Sequence, residues 1–187
     1  MHTILVVVLV ATLAFVGTMV DNFFAFSAQL VATEPARIRR VCWAQAGGVV
    51  SLLVITAGVG TLLAPIPVRW VGLLCVAPFA FAVHAWRHRQ LPREQHRRGA
   101  ITTFVLTLAL GGDNIAVWIP LLRANGVRHG LVTIATFAIW EVVFLFGARR
   151  LALHPKVVTW GRAHAPGLMP YAYVVLGVLI LIECRTL

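Results

Sequence analysis

An all-α integral membrane protein is predicted, with six transmembrane helices arranged as two inverted three-helix repeats. Three observations predict it: an apolar composition, six apolar runs with basic or proline-bearing connections, and an Asp-Asn pair that recurs at matching places in the two halves. Of the 187 residues, 60% are hydrophobic and only 12% charged, and the mean hydropathy is +0.89. Soluble domains carry about 25% charged residues. A chain of this length holds about six helices of ~20 residues with short connections, so residues 1–187 are expected to form a single membrane domain with no soluble module.

The first span is expected near 3–31. No Lys or Arg precedes Arg37 and the apolar run is too long for the core of a signal peptide, so it is read as a retained helix. The second (41–63) and third (66–86) spans are separated only by Ala64-Pro65-Ile66-Pro67, a breaker that predicts a tight turn between antiparallel helices. The basic stretch 87–100 then links repeat one, about 1–90, to repeat two, about 98–187. The fourth (101–122), fifth (129–147) and sixth (168–184) spans follow, with a long connection at 148–167.

Charge orients these spans. A formal charge of +10 in a soluble protein would point to nucleic acid, but here the basic residues lie in the connections, and no nucleic-acid partner is expected. Three Lys or Arg fall in 34–40, five in 87–100 and four in 148–167, whereas the opposite side holds only Arg69, Arg123, Arg128 and Arg185. The positive-inside rule therefore places both termini outside the cytoplasm. Trp43, Trp70 and Trp86 stand near span ends, where interfacial anchoring and core packing are equally good accounts.

The chemistry is concentrated in two places. Asp21 and Asp113 are the only aspartates, each is followed by asparagine (Asn22, Asn114), and the two pairs lie 92 residues apart in the first and fourth spans. Three spans per half force the second half to enter the membrane in the opposite sense, the plan of many secondary transporters whose sites lie at the repeat interface. An ionised carboxylate at the bilayer centre costs roughly 2.5–3.5 kcal/mol on insertion scales, so such acids face a partner, a cavity or an ion. Two carboxylates and two amide oxygens suit one dehydrated divalent cation, carried as substrate rather than as a resident cofactor. Gly111-Gly112 before Asp113 weakens the helix and could bare backbone carbonyls, with Gly17 and Thr18 in the corresponding place of the first half. A structural role, with the aspartates stitching helices together, is the alternative.

Glu141 is a third acid, near the middle of the fifth span, and a carboxyl there suits a proton carrier coupled to cation movement. Gln45 in the second span is its nearest polar analogue. Glu183 is read as interfacial, Cys42, Cys75 and Cys184 as buried small hydrophobes, and His84 with His88 as surface residues in basic surroundings rather than metal ligands.

The run Leu110-Gly111-Gly112-Asp113-Asn114-Ile115-Ala116-Val117-Trp118-Ile119-Pro120 resembles the Gly-Asp-Asn-hydrophobic-Pro block of cadmium-resistance (CadD-type) transporters, within the lysine-exporter superfamily. The resemblance extends to Asp21, to Gln45 with Gly47-Gly48, to Pro78, and to Pro170 with Gly177, and so covers essentially the whole chain. It implies heavy-metal efflux driven by protons across a bacterial inner membrane, with Asp21 and Asp113 as site residues. Glu141 and the aromatic pair Phe23-Phe24 depart from the family pattern and bear on selectivity. Export of a cationic amino acid is the alternative within the superfamily, although the spans offer no basic partner for its carboxylate. An intramembrane aspartyl protease also uses two aspartates, yet here the tyrosine before the first, the glycine three before the second and the Pro-Ala-Leu signature are missing. A chain this small fits a homodimer.

Overall fold

The computed structural model of the chain describes residues 4–65, 67, 70, 76–87 and 99–183. Among them the regular structure is helical throughout: α1 (Ile4–Val31), α2 (Pro35–Leu62), α3 (Val76–Arg87), α4 (Ala100–Leu110), α5 (Gly112–Leu151) and α6 (Pro155–Glu183). Cys75, Cys184, Arg69, Arg185 and the linker 88–98 with His88 and His96 lie outside the described residues, as do the side chains of Asp21, Pro78, His84 and Glu183.

The face each helix buries follows from its sequence. In α1 the buried row is Val7, Ala11, Ala14, Phe15, Thr18 and Met19, while Leu5, Leu9, Leu13 and Val16 are exposed. Both rows have helical spacing, but the outer one is purely aliphatic and the inner one holds small and polar side chains. That inversion suits lipid outside and packed helices within. The same holds in α2, where Gln45, Gly48 and Thr56 are buried and Val50, Val54 and Leu62 exposed. Trp43, Trp70 and Trp86 are all more than half exposed, which favours the interfacial account over core packing.

The 40-residue α5 is not straight. Gly126 has φ 63° and ψ −173°, a left-handed conformation that glycine adopts without strain, and the chain folds back there. The rings of Trp118 and Phe137 lie 4.7 Å apart, whereas 19 residues of straight helix would separate them by about 28 Å. α5 therefore consists of two antiparallel arms, 112–125 and 127–151, tied across the turn by the Asn125 amide donating to Thr133 Oγ1 at 2.9 Å.

α1 packs against α5 and α6, α2 against α4 and α5, and α3 against α6. Phe15 meets both Trp118 and Phe137, and Phe26 meets Phe144, so α1 runs parallel to the second arm of α5. The connections 32–34 and 152–154 consequently lie at one end of the bundle, with Arg37, Arg39, Arg40, Arg149, Arg150 and Lys156. The turn at Gly126 lies at the other end. Arg123 donates to the Ala64 carbonyl at 3.2 Å, which brings the expected turn after α2 to that second end.

By length and composition α2 and α5 each hold a run able to cross a bilayer, and α1 does so when its two bent halves count as one span. α4, at 11 residues, is too short to cross alone. Helix ends differ from the expected spans: α2 starts at Pro35 rather than 41, and α6 at Pro155 rather than 168. Hydropathy locates the apolar stretch, and a helix continues past it wherever its polar turns stay hydrogen-bonded. Pro35 and Pro155 occupy the first helical turn, where a missing N–H costs nothing.

Candidate cation site

The two Asp-Asn pairs occupy different backbone settings. At Asp21 the axis of α1 bends by 51° between Ile4–Val20 and Asn22–Val31. One turn earlier the buried Thr18 hydroxyl donates to the Ala14 carbonyl at 2.9 Å, a back-bond of the kind that often bends helices. In the second half the helix ends at Leu110 and restarts at Gly112. Gly111 at the break is required by packing rather than by φ, since a Cβ there would stand 2.5 Å from both methyls of Leu52. Its carbonyl accepts the Ile115 N–H at 3.0 Å, so the break does not bare that oxygen.

The break places Asp113 in the first turn of a new helix, where unpaired N–H groups and the helix dipole favour a carboxylate. Asp113 Oδ1 accepts the Asn114 backbone N–H at 2.8 Å. Asp113 Oδ2 accepts the Tyr173 hydroxyl at 2.6 Å, which ties the carboxylate to α6. Asn114 is fully buried, and its Oδ1 has no hydrogen-bond partner among the described residues.

The first half enters through Met19. The Asn114 amide donates to Met19 Sδ at 3.6 Å, across 95 residues of sequence, and the Asn22 amide donates to the same sulfur at 3.7 Å. Residues Met19, Asp113, Asn114 and Tyr173, all buried, and the partly buried Asn22 thus form one cluster drawn from α1, α5 and α6.

The bundle also sets the acidic positions on one side of a ring stack. Asp113 stands five residues before Trp118, Glu141 four after Phe137 and the Asp21 backbone six after Phe15, and those three rings pack together. At 1.5 Å per residue the three acidic positions lie about 6–9 Å along their helices from those rings, all on the same side of the ring stack. Glu141 is buried on the second arm of α5, and neither carboxylate oxygen has a hydrogen-bond partner among the described residues.

Other expected residues lie elsewhere. Gln45 is buried, but its Oε1 accepts the Thr107 hydroxyl at 2.7 Å, so its described role is to join α2 to α4. Thr18 spends its proton on its own helix. Among the described residues no three His, Cys, Asp or Glu side chains cluster as a metal site. The cluster is built from one carboxylate, two amides, a thioether and a phenol. Met19 and Tyr173 were not singled out by sequence reasoning. Met19 has a signal in its i, i+3 spacing to Asn22, which puts sulfur and amide on one helix face. Tyr173 has one as a hydroxyl in an apolar span, which needs a partner.

A helical bundle with an aliphatic outer surface and the carboxyl side chains of Asp113 and Glu141 buried within has the build of a membrane protein that carries acids at depth. The family model of the cadmium resistance transporters matches residues 15–187. The chain belongs to that family, and is a membrane-embedded transporter of the cadmium-resistance, metal-transporting class. Comparisons with curated proteins and with solved structures return no match.

Proposed function

We propose that this chain exports a divalent, cadmium-type cation across the bacterial inner membrane by proton antiport. The observation that carries the reading is the junction at Met19, where Asn22 of one half and Asn114 of the other meet beside Asp113. A site shared between halves is what two inverted three-helix repeats would build. Six spans result when α4 and the first arm of α5 count as one broken span and the second arm as the next. The basic end of the bundle is then cytoplasmic and both termini lie outside.

Asp21 and Asp113 supply the charge that replaces the cation's water, and Asn22 and Asn114 supply neutral oxygens. The orphaned Asn114 Oδ1 supports this, because a buried carbonyl without a partner costs ~1–3 kcal/mol and an incoming cation would remove that penalty. Glu141, on the same side of the ring stack on the other arm, is the proton carrier: protonated it is neutral, and ionised it adds charge near the cation path. The cation is cargo, no cofactor is held permanently, and a homodimer is the proposed working unit.

The test is uptake into inside-out proteoliposomes under an imposed pH gradient, offering cadmium, zinc, manganese, magnesium and lysine to wild type and Asp113→Asn. Gradient-driven cadmium uptake lost in the variant is expected. Lysine uptake alone would move the protein to the amino-acid exporters, and cadmium uptake indifferent to the gradient would remove antiport. Glu141→Gln is expected to change the pH profile of uptake, and an unchanged profile would remove its proton role.

A further inference from the structure

We infer that Met19 is a cation ligand, a thioether shared by the two halves that selects soft cargo over hard. The inference rests on the reading that Asp113 and Asn114 bind the cation. Met19 is 2% exposed, yet its sulfur does not sit in a purely apolar pocket. It accepts two amide N–H groups, one from its own helix and one from α5, at 3.7 and 3.6 Å. Amide donors on a thioether are weak contacts. They leave Asn114 Oδ1 without a partner among the described residues in a fully buried side chain, a cost that a bound cation would remove.

A half-turn of the Asn114 amide about χ2 exchanges its nitrogen and oxygen. The carbonyl oxygen then points where the N–H pointed, toward the Met19 sulfur. A cation entering there meets the Met19 sulfur, the turned Asn114 oxygen and the Asp113 carboxylate, once the Tyr173 hydroxyl yields. Sulfur is the selective element. Magnesium and manganese favour all-oxygen sets, whereas thioether and thiolate ligands favour soft ions. Methionine is unbranched and adaptable, so its sulfur can follow the cation as the site changes its exposure.

The test is X-ray absorption at the cadmium edge on cadmium-loaded protein in detergent, with Met19→Leu, Met19→Gln and Asp113→Asn beside wild type, each first shown to be folded by gel filtration. A sulfur scatterer in wild type that disappears in Met19→Leu, with the oxygen shell retained, is the expected result. In parallel, Met19→Leu is expected to weaken cadmium binding about tenfold, equivalent to ~1.4 kcal/mol, while manganese competition changes little, and Met19→Gln to favour manganese. An oxygen and nitrogen shell alone in wild type would overturn the inference while leaving the aspartate site standing, provided that Asp113→Asn abolishes binding. Sulfur retained in Met19→Leu would assign it to a cysteine, and equal losses for both ions would assign Met19 to packing. Either outcome overturns the inference. A wild type that binds no cadmium would overturn the site reading itself.

Discussion

The first and second Asp-Asn regions share a sequence motif but not a backbone. Around Asp21 the helix bends by 51° without losing its helical assignment. Around Asp113 it ends and restarts, so that the carboxylate gains the Asn114 N–H and the Tyr173 hydroxyl. Asn114 is fully buried, whereas Asn22 is only partly so. Duplication of a motif therefore does not duplicate its mechanics. The second region is tied to a neighbouring helix through Tyr173, and the first is set apart by a bend in its own helix.

The largest effect should come from removing either charge. Asp21→Asn and Asp113→Asn are each expected to lower cadmium flux about a hundredfold with the fold retained. Flux assays would break the comparison if one of them behaved like wild type. Next, Asn114→Ala is expected to lose roughly ten- to a hundredfold in cadmium affinity and Asn22→Ala only a few-fold, measured by equilibrium binding. Equal losses would erase the distinction between the fully buried and the partly buried asparagine.

Tyr173→Phe removes one charge-assisted hydrogen bond of ~1.5–3 kcal/mol from Asp113. Transport is expected to fall about tenfold and its pH profile to move, while Tyr171→Phe, on the exposed face, leaves both in place. The smallest expected effect is on stability. Gly111→Ala should cost ~1–3 kcal/mol by crowding Leu52, read as a lower thermal midpoint in detergent, and Leu52→Ala should relieve much of it. The matching change Gly17→Ala meets one methyl of Leu176 at 2.9 Å rather than two of Leu52 at 2.5 Å, and should cost less.

Much of this was legible before any coordinates. The all-helical membrane class follows from composition, and the membership in the cadmium-resistance family from the Gly-Gly-Asp-Asn block. The placing of Asp113 and Glu141 within apolar helix was readable because charge in an apolar run is rare. The position of Asp21, Asp113 and Glu141 on one side of the ring stack was not, since it depends on which rings stack across three helices. Nor was Met19 as a junction, because a methionine in an apolar span reads as filler until its sulfur is seen between two amides. Gln45 shows a further limit: its polarity at depth was readable, but not that its Oε1 accepts the Thr107 hydroxyl of a neighbouring helix. Helix ends near Pro35 and Pro155 escaped hydropathy because they lie where the helix has left its apolar stretch.

The central claim is that the two unlike motifs make a single cation site. Its most direct test is the stoichiometry of cadmium binding by isothermal titration, counted above the Asp21→Asn, Asp113→Asn double variant. One cadmium per chain in wild type, weakened by either single substitution, is the predicted result. Two per chain in wild type, with one surviving in each single variant, would contradict it and make each motif a site of its own.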